Sequence, residues 1–137
     1  MADPTPEELH KAVKRHLGLL AAVAKNPRYP VDAYAFVCQG VDYTCEKLGE
    51  HRDVSGRELL EGLVGLALDS FGYLAPTVLE RWKITGTRDF GEIVFTLVDV
   101  GLLGRSPRDS MADFENAFDL GATLRERYRI EPEEVEE

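Results

Sequence analysis

Apolar residues recur at helical rather than strand spacing along most of the chain. Thr5-Pro6-Glu7-Glu8 reads as a helix start, with Thr5 as N-cap, Pro6 at the first helical position and Glu8 completing a capping box. Leu9, Val13, Leu17, Leu20 and Ala24 follow at helical spacing, and Lys11, Lys14 and Arg15 occupy the other face. Asn26-Pro27 ends this segment, because Pro27 cannot continue it and Asn26 tolerates a left-handed cap. A second helix is predicted from about Val31 to Leu48, where Tyr34, Cys38, Val41, Cys45 and Leu48 form a 4-3-4-3 stripe. Ser55-Gly56-Arg57-Glu58 is another capping box, opening a helix with Leu59, Leu60, Leu63, Leu66, Ala67 and Phe71 on its core face and Gly72 at its end. A short fourth helix turns Val78, Leu79 and Trp82 inward.

The stretch from Thr87 to Leu103 reads as the helix around which the others pack. Thr87 is the predicted N-cap and Asp89 falls in the first turn, where the helix dipole favours a negative charge. Successive 100° steps place Arg88, Asp89, Glu92, Thr96 and Asp99 on one strip about 100° wide. Nearly everything else around the wheel is apolar or Gly, so this helix is expected to be buried on most sides, with Gly91 and Gly101 permitting close packing. Residues 111–130 are ambiguous. Ser110 can cap a helix carrying Phe114, Phe118, Gly121 and Tyr128, yet Phe114 to Leu120 alternates well enough for a strand. The predicted fold is therefore one mainly α domain, residues 1–130, of five or six helices. The alternative is a winged-helix-like α+β domain with a short hairpin near 103–119. Glu131-Pro132-Glu133-Glu134-Val135-Glu136-Glu137 is too charged to pack and is expected to be a disordered acidic tail.

Composition narrows the function classes. At 137 residues, with 44% apolar and 30% charged residues, the chain has the makeup of a soluble globular domain. The absence of a signal-peptide pattern at the N-terminus and of a long uncharged apolar run leads to a cytoplasmic, non-membrane expectation. Cys38 and Cys45, seven apart, would sit about 10 Å apart on one helix face, too far for a disulfide, so both are expected to be reduced core residues. The net charge of −9 disfavours a phosphate-backbone partner. Nucleic acid would have to be held by Lys11, Lys14, Arg15, Lys25 and Arg28.

The stretch from Tyr29 to Leu120 resembles a bacterial family of uncharacterised proteins, the Minf-type family. The resemblance rests on Tyr29-Pro30-Val31-Asp32-Ala33-Tyr34-Ala35-Phe36-Val37, Val54-Ser55-Gly56-Arg57-Glu58-Leu59-Leu60-Glu61-Gly62 and Phe71-Gly72. It continues through Val78-Leu79-Glu80-Arg81-Trp82, Thr87-Arg88-Asp89-Phe90-Gly91-Glu92-Ile93-Val94-Phe95 and Asp113-Phe114. The chain departs from the family pattern at Trp82-Lys83-Ile84, where Trp-Gly-Ile is expected. The resemblance implies a bacterial origin and no activity.

Candidate chemistry is sparse. Asp89-Phe90-Gly91 matches the magnesium-binding triplet of protein kinases, but no glycine-rich loop, lysine strand or His-Arg-Asp loop accompanies it. Cys45 with His51 and Asp53 falls short of a zinc set. No catalytic residues and no cofactor are assigned. A carboxylate metal site at Asp89, Glu92 and Asp113 is one alternative; the competing reading is a dipole contact for Asp89 and an Arg88–Glu92 pair. A winged-helix-like nucleic-acid regulator is a second alternative, opposed by the acidic and apolar surface of its recognition helix. The leading expectation is a protein–protein interaction or adaptor module, or a self-associating protein. It rests on an excess of apolar helix surface, with Tyr34, Cys38, Val41, Cys45 and Leu48 as the interface candidates.

Overall fold

The computed structural model describes residues 3–49, 54–104 and 111–128. Six α-helices account for most of them: α1 (Pro6–Lys25), α2 (Val31–Leu48), α3 (Gly56–Phe71), α4 (Ala75–Arg81), α5 (Thr87–Asp99) and α6 (Leu120–Arg127). Short 3-10 turns at Gly72–Leu74 and Met111–Asp113 complete the order, and the described residues contain no strand. The domain is therefore all-α, and residues 111–119 form a turn and loop rather than a wing hairpin. The acidic tail, His51 and Asp53, and the Ser110 cap lie outside the described residues.

Local signals set several boundaries. Thr5 and Ser55 both make full capping boxes, accepting from the backbone N–H of Glu8 and Glu58 and donating their own N–H to those glutamates. Gly49 closes α2 in the left-handed region at φ 71°. The start and end of α5 differ from the expectation. Its N-cap is Gly86, and Thr87 is the first helical residue. The Thr87 hydroxyl instead reaches across the molecule, donating to the Phe114 carbonyl at 2.5 Å and accepting from the Ala117 N–H at 3.2 Å. The helix stops at Asp99 rather than Leu103, because Gly101 takes φ 84°. The Leu102 N–H then bonds the Leu97 carbonyl and the Gly101 N–H the Val98 carbonyl, which is a Schellman closure. Gly101 thus ends the helix, whereas Gly91 does serve close packing: a Cβ there would meet the Phe114 Cβ at 2.6 Å.

One hydrophobic cluster draws residues from all six helices, including Ala22, Tyr34, Leu60, Leu79, Leu97 and Leu124. The most extensive pairing is α2 on α3, while α5 touches α1, α2 and α3. Gly62 makes the α2–α3 approach possible, since a Cβ there would overlap the Thr44 side chain. Phe114 inserts between α5 and the start of α3, over Gly91 and Gly56, with its ring edge-on to Phe95. Phe36, Phe71 and Trp82 form a second aromatic cluster at the turn between α3 and α4. The run Gly56–Arg81 is long and apolar enough to cross a membrane by length and composition, with a mean hydropathy of 1.4. It is not one rod, however: Gly72 breaks it at φ 55°, and Leu59, Leu60, Leu63, Val64, Ala67, Ala75 and Leu79 are core residues. Lys83, at the turn after α4, sits at φ 69°. A Gly there would be free of the Cβ crowding that Lys83 carries.

Candidate interaction surface

The polar strip of α5 faces the connector between α1 and α2. Asp89, buried at the first turn, accepts from the Tyr29 hydroxyl at 2.5 Å, the Thr85 N–H at 2.9 Å, the Thr85 hydroxyl at 3.2 Å and the Gly86 N–H at 3.2 Å. Arg28 lies 3.6 Å from the same carboxylate and 4.0 Å from Glu92. Arg88 adds the i,i+4 contact to Glu92 at 3.8 Å and a close pair with Glu115. These carboxylate oxygens are used by the chain itself. Asp113 lies instead against Gly56 at the start of α3. No group of three His, Cys, Asp or Glu among the described residues is placed to hold a metal ion, so Asp89, Glu92 and Asp113 do not form a ligand set. The cluster fixes the α1–α2 connector onto α5. Burial, and then the bond to Asp89, push the Tyr29 hydroxyl well above its ordinary pKa, so it remains a donor.

The α2 stripe is placed differently from its role as an interface candidate. Tyr34, Cys38 and Cys45 are buried, and Val41 is half-buried. Tyr34 donates its hydroxyl to the Asn26 carbonyl at 2.6 Å and packs edge-on to Tyr29. Leu48 alone of the five is exposed, at 39%. The chain therefore covers most of this seam by itself, and both cysteines are buried in the interior.

Four of the exposed large apolar residues share one stripe of α1; the others among the described residues are Val31, Leu48, Tyr73, Leu74 and Tyr128. Leu9, Val13, Leu17 and Leu20 are 52%, 56%, 59% and 48% exposed, and every residue from Pro6 to Leu17 is exposed. A surface helix ordinarily turns its apolar stripe inward. Here the inward side is the opposite one. Gly18 packs under Leu102, where a Cβ would meet that side chain at 2.6 Å, and Ala22 is fully buried. Stepping 100° per residue puts Gly18 and Ala22 roughly opposite the Leu9–Leu20 stripe. The Schellman turn of α5 thus projects Leu102 as the anchor for α1, and small residues on α1 receive it. Sequence reasoning identified the stripe but could not see which side of the helix would be docked; the signal was the pair of small residues Gly18 and Ala22.

The cations of α1 separate into two groups. Lys25 lies 4.0 Å from Asp99, and Arg28, just beyond the helix, joins the Asp89 cluster. Lys11, Lys14 and Arg15 line a cavity of about 300 Å³ between α1, α2 and the end of α5, together with Cys38, Val41, Asp42, Gly101, Leu102 and Leu103. The five cations that nucleic acid would have to use are therefore split, two of them being in contact with acids.

No protein-family model, no curated protein and no solved structure matches the chain.

Proposed function

We propose that the protein is a binding module that docks an amphipathic helix of a partner protein, flanked by acidic residues, onto the outward stripe of α1. The observation that carries this reading is the exposure of Leu9, Val13, Leu17 and Leu20 on the side of α1 turned away from its own core. Contiguous exposed aliphatic surface of this kind marks interaction sites, because covering it removes apolar area from water at about 25 cal/mol per Å². A helix laid into such a stripe reads as anchors at i, i+3, i+4 and i+7 spacing. The partner's charge follows from the net field of α1 as a whole, since its cations lie on the side turned away from the stripe: Lys11, Lys14, Arg15 and Lys25 against Glu7 and Glu8 leave the helix at +2 in a chain of −9. A second α1 would bring the same positive excess to the contact, whereas acidic flanks complement it.

The test is fluorescence anisotropy with two labelled helical peptides that share a Leu stripe and differ in Glu or Lys flanks. The Glu-flanked peptide is expected to bind, and Val13→Glu with Leu17→Glu to abolish binding while leaving the far-ultraviolet circular dichroism unchanged. Light scattering on the pure protein supplies the counter-result. A dimer that the same double variant dissociates would assign the stripe to a second copy and overturn the acidic-partner reading.

A further inference from the structure

Lys11, Lys14 and Arg15 recur at i, i+3 and i+4 and so share one face of α1. Like charges at these spacings repel and weaken a helix. Five other cations of the chain, Lys25, Arg28, Arg57, Arg88 and Arg127, lie within 4.0 Å of a carboxylate. None of the ion pairs formed among the described residues involves Lys11, Lys14 or Arg15, and Asp42 is the one acid lining the space they share. That space is the cavity of about 300 Å³ beneath the projecting half of α1. Its floor is apolar, built from Cys38, Val41, Leu102 and Leu103. Burial pushes the Cys38 thiol up from its ordinary pKa, against the opposing pull of Arg15, so the floor stays neutral.

We propose that this cavity binds a small amphipathic anion, its carboxylate or phosphate head held by Lys11, Lys14 and Arg15 and its short aliphatic chain laid on Cys38, Val41, Leu102 and Leu103. Cationic rim and apolar floor each match one half of such a molecule, and a cavity of this volume is at the small end of ligand sites. At the roughly 30 Å³ a water molecule occupies in the liquid, it has room for about ten non-hydrogen atoms, the size of an eight-carbon acid. An anion there would also relieve the repulsion among the three cations and tie the projecting half of α1 to the body. The site uses the inward face of α1 and is independent of the outward stripe.

Calorimetric titration of the full chain with octanoate, octyl phosphate, uncharged octyl glucoside and inorganic phosphate tests the proposal. Octanoate or octyl phosphate is expected to bind at least tenfold more tightly than either octyl glucoside or inorganic phosphate, and the tighter of the two names the head group. Lys11→Gln with Lys14→Gln and Arg15→Gln, all at exposed positions, is expected to weaken binding at least tenfold. Val41→Phe, which fills the floor and keeps the cations, should weaken it comparably. A second readout is alkylation of Cys38, followed at the peptide level with Cys45 as internal reference; saturating octanoate should slow it at least tenfold. Equal binding of octyl glucoside and octanoate, undiminished binding by the triple variant, or no binding of either anion below 10 mM would each overturn the proposal.

Discussion

Asp89 shows how one side chain can hold a connector in place. Its carboxylate collects the Tyr29 hydroxyl, two backbone N–H groups and the Thr85 hydroxyl, and Arg28 closes over it. Asp89→Ala would strand the buried Tyr29 hydroxyl, and an unsatisfied buried polar group is costly. We expect a loss of about 2–4 kcal/mol in urea unfolding. Tyr29→Phe removes a single bond and keeps the ring, so its loss should be nearer 1 kcal/mol; equal losses for the two variants would contradict this account. Lys83 makes the opposite prediction. At φ 69° it holds a conformation that disfavours a Cβ. Lys83→Gly is therefore expected to leave stability unchanged or raise it by up to about 1 kcal/mol, and a clear drop in melting temperature would refute the strain argument.

Among the elements, α1 and α3 are both amphipathic in sequence, but they stand in opposite relations to the core. Leu60 and Leu63 of α3 are fully enclosed, whereas Leu9, Val13, Leu17 and Leu20 of α1 are about half exposed. Truncating an enclosed leucine leaves a cavity; truncating an exposed one leaves water where water already was. Leu63→Ala should cost about 2–5 kcal/mol, and Leu17→Ser within about 0.5 kcal/mol of nothing. Chemical denaturation of the two variants side by side checks this, and a large cost at Leu17 would mean that the chain covers the stripe itself. The attachment of α1 depends on α5, because the Schellman turn at Gly101 delivers Leu102 beneath Gly18.

For the molecule as a whole, alkaline pH probes how the helices are tied together. Tyr43 donates to Asp69 at 2.5 Å between α2 and α3, and burial followed by that bond pushes its pKa up to about 12 from 10.0. Tyr29 is raised in the same sense by burial and by Asp89. A raised folded pKa gives stability that is complete below the unfolded value and lost as pH climbs through the folded one. The tyrosines' contribution to stability should be complete below pH 10 and fall between about pH 10 and 12. Tyr43→Phe should flatten part of that fall; an unaltered slope would show that the pair does not link folding to pH. The division between what the chain pattern determines and what packing determines follows the range of the forces. Capping boxes at Thr5 and Ser55, the glycine stop at Gly72, the inward-facing leucines of α3 and the buried α5 all depend on neighbours within a few residues, and they are legible in sequence. Residues 111–119 were ambiguous because Phe114 is held by Gly91, Gly56 and Thr87, none of which is near it in sequence. The same limit hid the surface. Periodicity gives a helix its stripe but not the side on which it docks, and only the tertiary contact of Gly18 with Leu102 turns the leucines of α1 to solvent and its cations toward a cavity. The α2 seam, as apolar in sequence as any interface, is enclosed because α3 and α5 lie close enough to cover it.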